Sequence, residues 1–141
     1  MPIVYNVQSS VEDSAELRRL FQELTGTDMV PDTVRINRQI SEGSLAFYSA
    51  WTDGKMVGMT SVISCRTCIS DKLWIEDVAV LSEWRGRGIG RAMLEFAMQD
   101  SLSRFGAGTF WLTSRPSRTA ARSLYASMGF RECETGVFSK P

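Results

Sequence analysis

The chain has 141 residues, of which 43% are hydrophobic and 23% are charged, so we expect one globular domain over residues 1–141. Its 16 basic residues equal its 16 acidic residues, and zero net charge gives no general attraction to nucleic acid or to an anionic membrane. Histidine is absent, which excludes Ser-His-Asp and Cys-His catalysis and every metal site with a histidine ligand.

The first third of the chain predicts one strand and two helices. Residues 3–8 are predicted to form the strand, and four apolar residues at helical spacing predict a helix that ends at Gly26. Those four residues are Leu17, Leu20, Phe21 and Leu24. A second helix is predicted over residues 31–42, because proline suits a helix start and a glycine follows the segment.

The middle third predicts three strands. Residues 45–52 and 55–64 flank Asp53-Gly54, which is a strong signal for a tight β-hairpin. Residues 72–80 predict another strand, which is apolar on both faces near its end, as expected for a strand inside the sheet.

The last third predicts two more helices and two more strands. A long amphipathic helix is predicted over residues 89–106, followed by a short buried strand over residues 109–113. Ser117 is expected to cap a helix that ends at Gly129, and residues 130–138 to form the last strand. The resulting order is βααβββαβαβ, which is a mixed α/β fold.

A turn rich in glycine and arginine lies where the central strand ends and the long helix begins. The first amides of a helix lack internal partners, and the helix dipole is positive there. The glycines remove side chains that would hold an anion away, and the arginines add positive charge, so the turn predicts a pyrophosphate site. It consists of Arg85, Gly86, Arg87, Gly88, Ile89, Gly90 and Arg91.

Other phosphate-binding motifs do not fit this turn. The P-loop lysine and hydroxyl are missing, and arginine occupies position 91, where a dinucleotide-binding fingerprint needs its third glycine. A basic helix start that binds nothing stays open, although three glycines would then weaken the helix without any return. A nucleic-acid-binding surface is a further alternative, against which the zero net charge argues.

The sequence also bounds metal use and cell compartment. Cys65 and Cys68 have C-x-x-C spacing, but a closed zinc site needs four ligands and only Cys133 remains. We therefore expect reduced thiols and no metal. A secretory leader and an apolar run of membrane-spanning length are missing, so we expect a cytoplasmic protein without membrane or nucleic-acid partners.

Two motifs give the chain a family resemblance. Arg85, Gly88 and Gly90 fit [QR]-x-x-G-x-[GA], the core of the acyl-CoA-binding motif of the GNAT N-acetyltransferase superfamily. The segment 116–130, PSRTAARSLYASMGF, is similar to the C-terminal A-x-x-L-Y-x-x-x-G-F motif of that superfamily. With the predicted element order, the resemblance extends over nearly the whole domain.

The resemblance implies acetyl-CoA as co-substrate. Val78, Ala79 and Val80 would offer backbone hydrogen bonds to its pantetheine, and residues 85–91 would wrap its pyrophosphate. A backbone N–H near Val80 would face the thioester carbonyl and stabilise the charge that develops on its oxygen. Arg118 stands where many relatives carry asparagine, which puts that asparagine's contact to the pantetheine in doubt.

The resemblance also implies catalytic residues. Tyr125 matches the general acid that protonates the departing thiolate. A tyrosine on an apolar helix stripe is, without other evidence, usually a core residue, but with the motif match we favour the catalytic role. The base is Glu76, Asp77 or a water chain leading to one of them. Strand alternation places these two side chains on opposite faces, so only one can serve, and we favour Glu76.

The acceptor is expected to be a primary amine, and a small molecule is favoured over a protein amine. Charged residues of the helical stretch after the first strand and aromatic residues are candidates for its site: Glu23, Asp28, Asp32, Arg35, Phe47, Trp51 and Trp74. A non-catalytic acyl-CoA-binding module of the same fold is the alternative, and a homodimer is the common assembly of the family.

Overall fold

One mixed five-stranded sheet organises the computed structural model, which describes residues 2–106 and 108–141. The strand order is β1-β2-β3-β4-β5; neighbours from β1 to β4 are antiparallel, and β5 runs parallel to β4. The strands are β1 Val4–Gln8, β2 Leu45–Thr52, β3 Lys55–Arg66, β4 Asp71–Val80 and β5 Thr109–Trp111. The helices are α1 Ala15–Thr25, α2 Thr33–Glu42, α3 Ile89–Phe105 and α4 Thr119–Ser127, with a 3-10 turn at Ser82–Trp84. The predicted mixed α/β fold is confirmed.

Local signals fix the ends of the first two helices. Ser14 caps α1 by accepting a hydrogen bond from Leu17 N at 3.0 Å, and Gly26 ends it with a left-handed φ of 68°. Asp32 caps α2 by accepting from Arg35 N at 3.0 Å. The second helix therefore begins at Thr33, two residues after the predicted start.

The predicted hairpin between β2 and β3 is confirmed. Asp53 and Gly54 have φ values of 50° and 72°, and Thr52 pairs with Lys55 across the turn. Positive φ at both central positions defines the turn type whose twist matches a hairpin, which explains the Asp-Gly pair.

Helix α3 packs closely on the middle of the sheet. A Cβ added at Gly58 of β3 would lie 3.3 Å from Met93 Sδ of α3, so glycine at this position allows the close approach. Tyr48 of β2 is buried and donates a hydrogen bond to Asp100 of α3 at 2.7 Å. Helix α1 packs against β3 and β4. The end of β4 therefore lies beside the C-terminal turn of α1, which borders the site described below.

Two predictions for the C-terminal part are wrong. The described segment 130–138 forms no strand, because a run of polar residues and glycine separates Phe130 from Val137 and Phe138, whose side chains are 80% and 95% exposed. The observed order thus lacks the final strand of the predicted βααβββαβαβ. Ser117 does not cap α4 either, since Arg118 occupies the N-cap position and α4 has no side-chain cap.

Candidate active site

The site begins at an irregularity in β4. Ser61 of β3 pairs with Glu76, but Met59 pairs with Ala79, so Asp77 and Val78 together lie opposite Thr60 alone. This extra residue is a β-bulge, and Asp77 adopts a positive φ of 58° within it. Thr60 Oγ1 donates to the Glu76 carbonyl at 3.0 Å and so satisfies an oxygen at the interrupted part of the ladder.

The strand also loses its neighbour at this point. Strand β5 pairs with β4 only from Lys72 to Trp74, and among the described residues no strand continues along that edge beyond Trp74. Leu81 N donates to Val57 O across β3 at 2.9 Å, so alternation turns the N–H and C=O of Val80 toward the open edge. The predicted cofactor contacts Val78, Ala79 and Val80 thus lie at the end of a strand with one free edge.

A cavity of about 290 Å³ lies between the end of β4, the chain after β5, α4 and the end of α1. Its lining brings together three groups of the predicted chemistry, namely the phenol of Tyr125 and the acids Glu76 and Asp77, with Arg118 beside them. The remaining lining residues are Leu24, Thr25, Ile75, Val78, Leu112 and Thr113.

The two acids do not follow simple alternation. The bulge interrupts it, and both Glu76 and Asp77 line the same cavity, which corrects the expectation of opposite faces. Asp77 Oδ2 accepts a hydrogen bond from the buried Ser61 Oγ at 2.9 Å. Burial, and then the charge of Asp77, raise the pKa of the Glu76 carboxyl. Asp77 is therefore anchored, whereas no hydrogen bond from the described residues holds the Glu76 carboxylate.

Tyr125 belongs to the core and to the cavity at once. Its side chain is 9% exposed, and its ring meets Phe130 edge to face with centroids 6.1 Å apart. Its hydroxyl makes no hydrogen bond with the described part of the chain and borders the cavity beside Arg118. Burial raises the pKa of the phenol, and the charge of Arg118 partly opposes that increase. A phenol in this environment stays protonated at neutral pH and is free to donate.

The glycine turn has the geometry of an anion site. Gly86 and Gly88 have φ values of 75° and 79°, and no heavy atom lies within 4 Å of a Cβ added at either one. The first amide bonded into α3 is that of Ala92, which donates to Gly88 O at 3.1 Å. Within residues 2–106 and 108–141, no hydrogen bond is donated by the backbone amides of residues 86–91. The turn therefore presents successive free N–H groups at a helix N-terminus.

The side chains of the three arginines of the turn have different partners and do not converge on one point. Arg85 Nε donates to the Val80 carbonyl at 2.9 Å, and its Nη2 lies 3.5 Å from Glu23 Oε1. Arg87 stacks over the Trp84 ring at 4.6 Å. Arg91 contacts Ser127 of α4 and, at 3.5 Å, Glu95. Arg85 thus braces the turn, and Arg91 joins it to α4.

A comparison with family models identifies the chain. The model described as the acetyltransferase (GNAT) family matches residues 13–130. The chain belongs to the GNAT family. This finding confirms the resemblance inferred from the two sequence motifs.

Relatives of this GNAT chain differ in their named acceptors. The [ribosomal protein bS18]-alanine N-acetyltransferase of Escherichia coli strain K12 is 35% identical over 75 residues, which are 53% of this chain and 50% of that protein. Streptothricin acetyltransferase of Streptomyces lavendulae is 33% identical over 90 residues, which are 64% of this chain and 46% of that protein. The chain thus spans about half the length of these curated relatives.

A solved structure supports the same fold. The crystal structure of an aminoglycoside acetyltransferase from an uncultured soil metagenomic sample superposes with a TM-score of 0.82 at 21% identity, covering 100% of this chain and 99% of that one. At this identity the likeness concerns the fold alone.

Several residues in or near the candidate site differ from the sequence expectations. Glu23, an acceptor-site candidate, instead accepts from Ser82 N at 3.2 Å and faces Arg85. Phe47 is buried in the core, and Asp32 is a helix cap. Ser61, which anchors Asp77, was not predicted, because only the strand register brings it opposite the bulge.

The described residues also bear on the expectations about metals, thiols and membrane spans. No group of three or more acidic or cysteine side chains is arranged to hold a metal in the described part of the chain. Cys65, Cys68 and Cys133 are exposed free thiols. In residues 2–106 and 108–141 there is no helix with the length and apolar character needed to cross a membrane.

Proposed function

We propose that the chain transfers an acetyl group from acetyl-CoA to a primary amine, and that the preferred acceptor is a small molecule. The proposal depends on one observation: three features of the predicted chemistry lie next to one another at the end of β4. The free amides of residues 86–91, the open edge at Val80 and the cavity with Tyr125 and Glu76 follow one another along the end of β4.

The residues fit the proposed co-substrate. Added Cβ atoms at Gly86 and Gly88 would point into space free of heavy atoms, which leaves room for a diphosphate against the amides. The open edge at Val78 and Val80 offers backbone groups of the kind an amide-containing pantetheine needs. Acetyl-CoA would supply the thioester carbon that the amine attacks and the thiol that leaves.

Glu76 is the proposed base. An alkylamine with a pKa near 10.4 is mostly protonated at neutral pH, so it must lose a proton before it can attack. The Glu76 carboxylate borders the cavity without a fixed partner, and its raised pKa makes it a better proton acceptor than an ordinary glutamate. It takes the amine proton directly or through water. Asp77, held in place by Ser61, adds negative charge to the cavity and attracts the cationic acceptor.

Val80 and Tyr125 serve the acyl-transfer and leaving steps. The Val80 N–H at the open edge donates to the carbonyl oxygen that gains negative charge as the C–N bond forms. Tyr125 donates its phenolic proton to the thiolate as the C–S bond breaks, and it recovers a proton from water. The charge of Arg118 stabilises the transient phenolate.

Binding of acetyl-CoA to a matched pair of variants tests the co-substrate assignment. Gly88→Glu puts a carboxylate against the amides and should abolish binding in calorimetry. Gly43→Glu is the control, because Gly43 has a similar φ of 76°, lies at the end of α2 and likewise has open space around it. It should lose stability to a similar degree and keep its affinity. Equal affinity of the two variants for acetyl-CoA would contradict the proposed pyrophosphate site.

Turnover separates an enzyme from a binding module. Release of free thiol from acetyl-CoA should depend on an added amine, in a panel that includes small amines and a peptide with N-terminal alanine. Acetyl-CoA binding without thiol release for any amine would favour the non-catalytic module. A preference for the peptide would replace the small-molecule acceptor by a protein amine. The cytoplasmic location and the homodimer stay predictions.

A further inference from the structure

An aromatic pair lies on the sheet face that leads away from Glu76. Trp74 of β4 and Trp111 of β5 are register partners, and their ring centroids are 5.8 Å apart with a tilt of 38°. Trp74 lies two residues before Glu76, ahead of the bulge, so alternation places both side chains on the same face roughly 7 Å apart. The tryptophan pair and the proposed base therefore lie side by side on one face of the sheet.

The pair belongs to neither core cluster of the described residues. Both tryptophans are partly exposed, and neither packs into the two hydrophobic clusters that hold the sheet and helices together. Glu76, which shares the face of Trp74, lines the cavity. Partly exposed aromatic side chains that contribute little to the core and continue the face of a cavity residue are typical of ligand walls.

Charge is distributed unequally along this face. Glu76 and Asp77 lie at the cavity end, whereas the ammonium of Lys72 lies 4.8 Å from the centroid of the Trp111 ring. Lys72 makes no salt bridge with the described residues. One end of the face therefore attracts a cation, and the other end repels a second one.

We propose that Trp74 and Trp111 form an acceptor subsite for a neutral ring attached two or three bonds from the reactive amine. The amine lies at Glu76 while the ring stacks on Trp74, and Lys72 disfavours acceptors with a second positive charge. This subsite rests on the proposed acetyl transfer and names its acceptor class. Stacking on tryptophan suits an aryl ring and the apolar face of a sugar ring alike.

Matched acceptors test the subsite. For each ring-bearing amine, a ringless amine measures the chemistry without the stacking. We compare 2-phenylethylamine with ethylamine, and 6-amino-6-deoxyglucose with ethanolamine. The ring should lower KM about tenfold in at least one pair, in line with the value of an aromatic contact plus its buried area. The pair that shows the effect identifies the ring type. Equal KM values within both pairs would overturn the subsite.

Variants connect the effect to the tryptophans. Trp74→Ala should raise KM for the preferred ring-bearing amine about tenfold and leave kcat, and the KM of its ringless partner, nearly unchanged. Trp74→Phe keeps an aromatic face and should restore most of the affinity, which also serves if the alanine variant folds poorly. Tyr5→Ala is the control, because Tyr5 is a partly exposed aromatic residue of β1, the edge strand opposite β5, and its ring packs against Phe96 with centroids 6.4 Å apart. A uniform rise in KM for all amines would assign the pair a structural role instead.

Lys72→Gln tests the charge argument. It should raise kcat/KM for a diamine such as 1,4-diaminobutane several-fold relative to butylamine, because the repulsion is removed. No change in that ratio would overturn the role of Lys72.

If wild-type protein acetylates no amine at all while it binds acetyl-CoA, the proposed transfer fails, and the subsite fails with it. If ringless amines are acetylated and rings give no advantage, only the subsite fails.

Discussion

Replacing Tyr125 by phenylalanine separates a catalytic tyrosine from a core tyrosine, because the two roles predict opposite effects on stability. The ring is packed against Phe130 and is only 9% exposed, and phenylalanine preserves that packing. The hydroxyl makes no hydrogen bond with the described residues, so its removal loses no protein partner. A tyrosine selected for the core alone would instead have a bonded hydroxyl.

The magnitude follows from the environment of the hydroxyl, which lacks a partner among the described residues but is not fully buried. Burying a polar group without a partner costs about 1–3 kcal/mol, and contact with the cavity reduces that penalty here. We therefore expect Tyr125→Phe to be unchanged or about 1 kcal/mol more stable, which for a domain of this size is roughly 2–4 °C in Tm. Thermal unfolding followed by circular dichroism measures this change.

The same substitution should impair turnover. Loss of a general acid lowers kcat by about 10²–10⁴, whereas calorimetric affinity for acetyl-CoA should stay within about twofold. Because burial raises the pKa of the phenol above its ordinary value near 10, the wild-type rate should show no alkaline decline below about pH 9. A phenylalanine variant with wild-type kcat, or one that is several degrees less stable, would refute the catalytic role.

Two further predictions concern the acids and the braced turn. Glu76→Gln should lower kcat/KM about 100-fold at neutral pH, and the loss should shrink toward pH 10, where the amine is already neutral. Asp77→Asn should have a smaller effect on rate and should move the acidic limb of the pH profile to lower pH, because the charge of Asp77 raises the pKa of Glu76. The opposite ranking of these two variants would make Asp77 the base. Arg85→Ala should lower the free energy of unfolding by about 1 kcal/mol and raise KM for acetyl-CoA, because the Val80 carbonyl and Glu23 lose a donor. An unchanged Tm and KM would show that the brace is dispensable.

Local chemistry explains which elements were predictable. Gly26 and the Asp53-Gly54 pair act on their immediate neighbours, so the sequence predicts the end of the first helix and the hairpin closely. The cap at Ser14 was not predicted. The glycine turn is equally local, since unpaired helix amides need only glycines beside them. These parts of the fold and of the site depend on hydrogen bonds that form within a few residues.

The remaining features depend on residues distant in the sequence. The bulge at Asp77 has no clear local signal, because it is stabilised by Thr60 and Ser61 from the neighbouring strand. The final strand was predicted from residues 130–138 alone, but a strand also needs an apolar face to bury, and that segment is exposed. The orientation of Arg85 was missed because Glu23 comes from α1.

The bulge and the early end of β5 together explain why a site can exist at the end of β4. A strand that is paired on both sides has no free backbone group for a ligand. A strand with one unpaired side has free N–H and C=O groups that need partners. Here β5 ends at Trp111, and the Val80 carbonyl at the open edge is satisfied by the Arg85 guanidinium from the adjoining turn. That bond leaves the Val80 N–H free and ties the amide-rich turn to the strand. The same arginine therefore stabilises the open edge and links the glycine turn to the strand beside the cavity, so we expect its loss to affect acetyl-CoA binding more than chemistry.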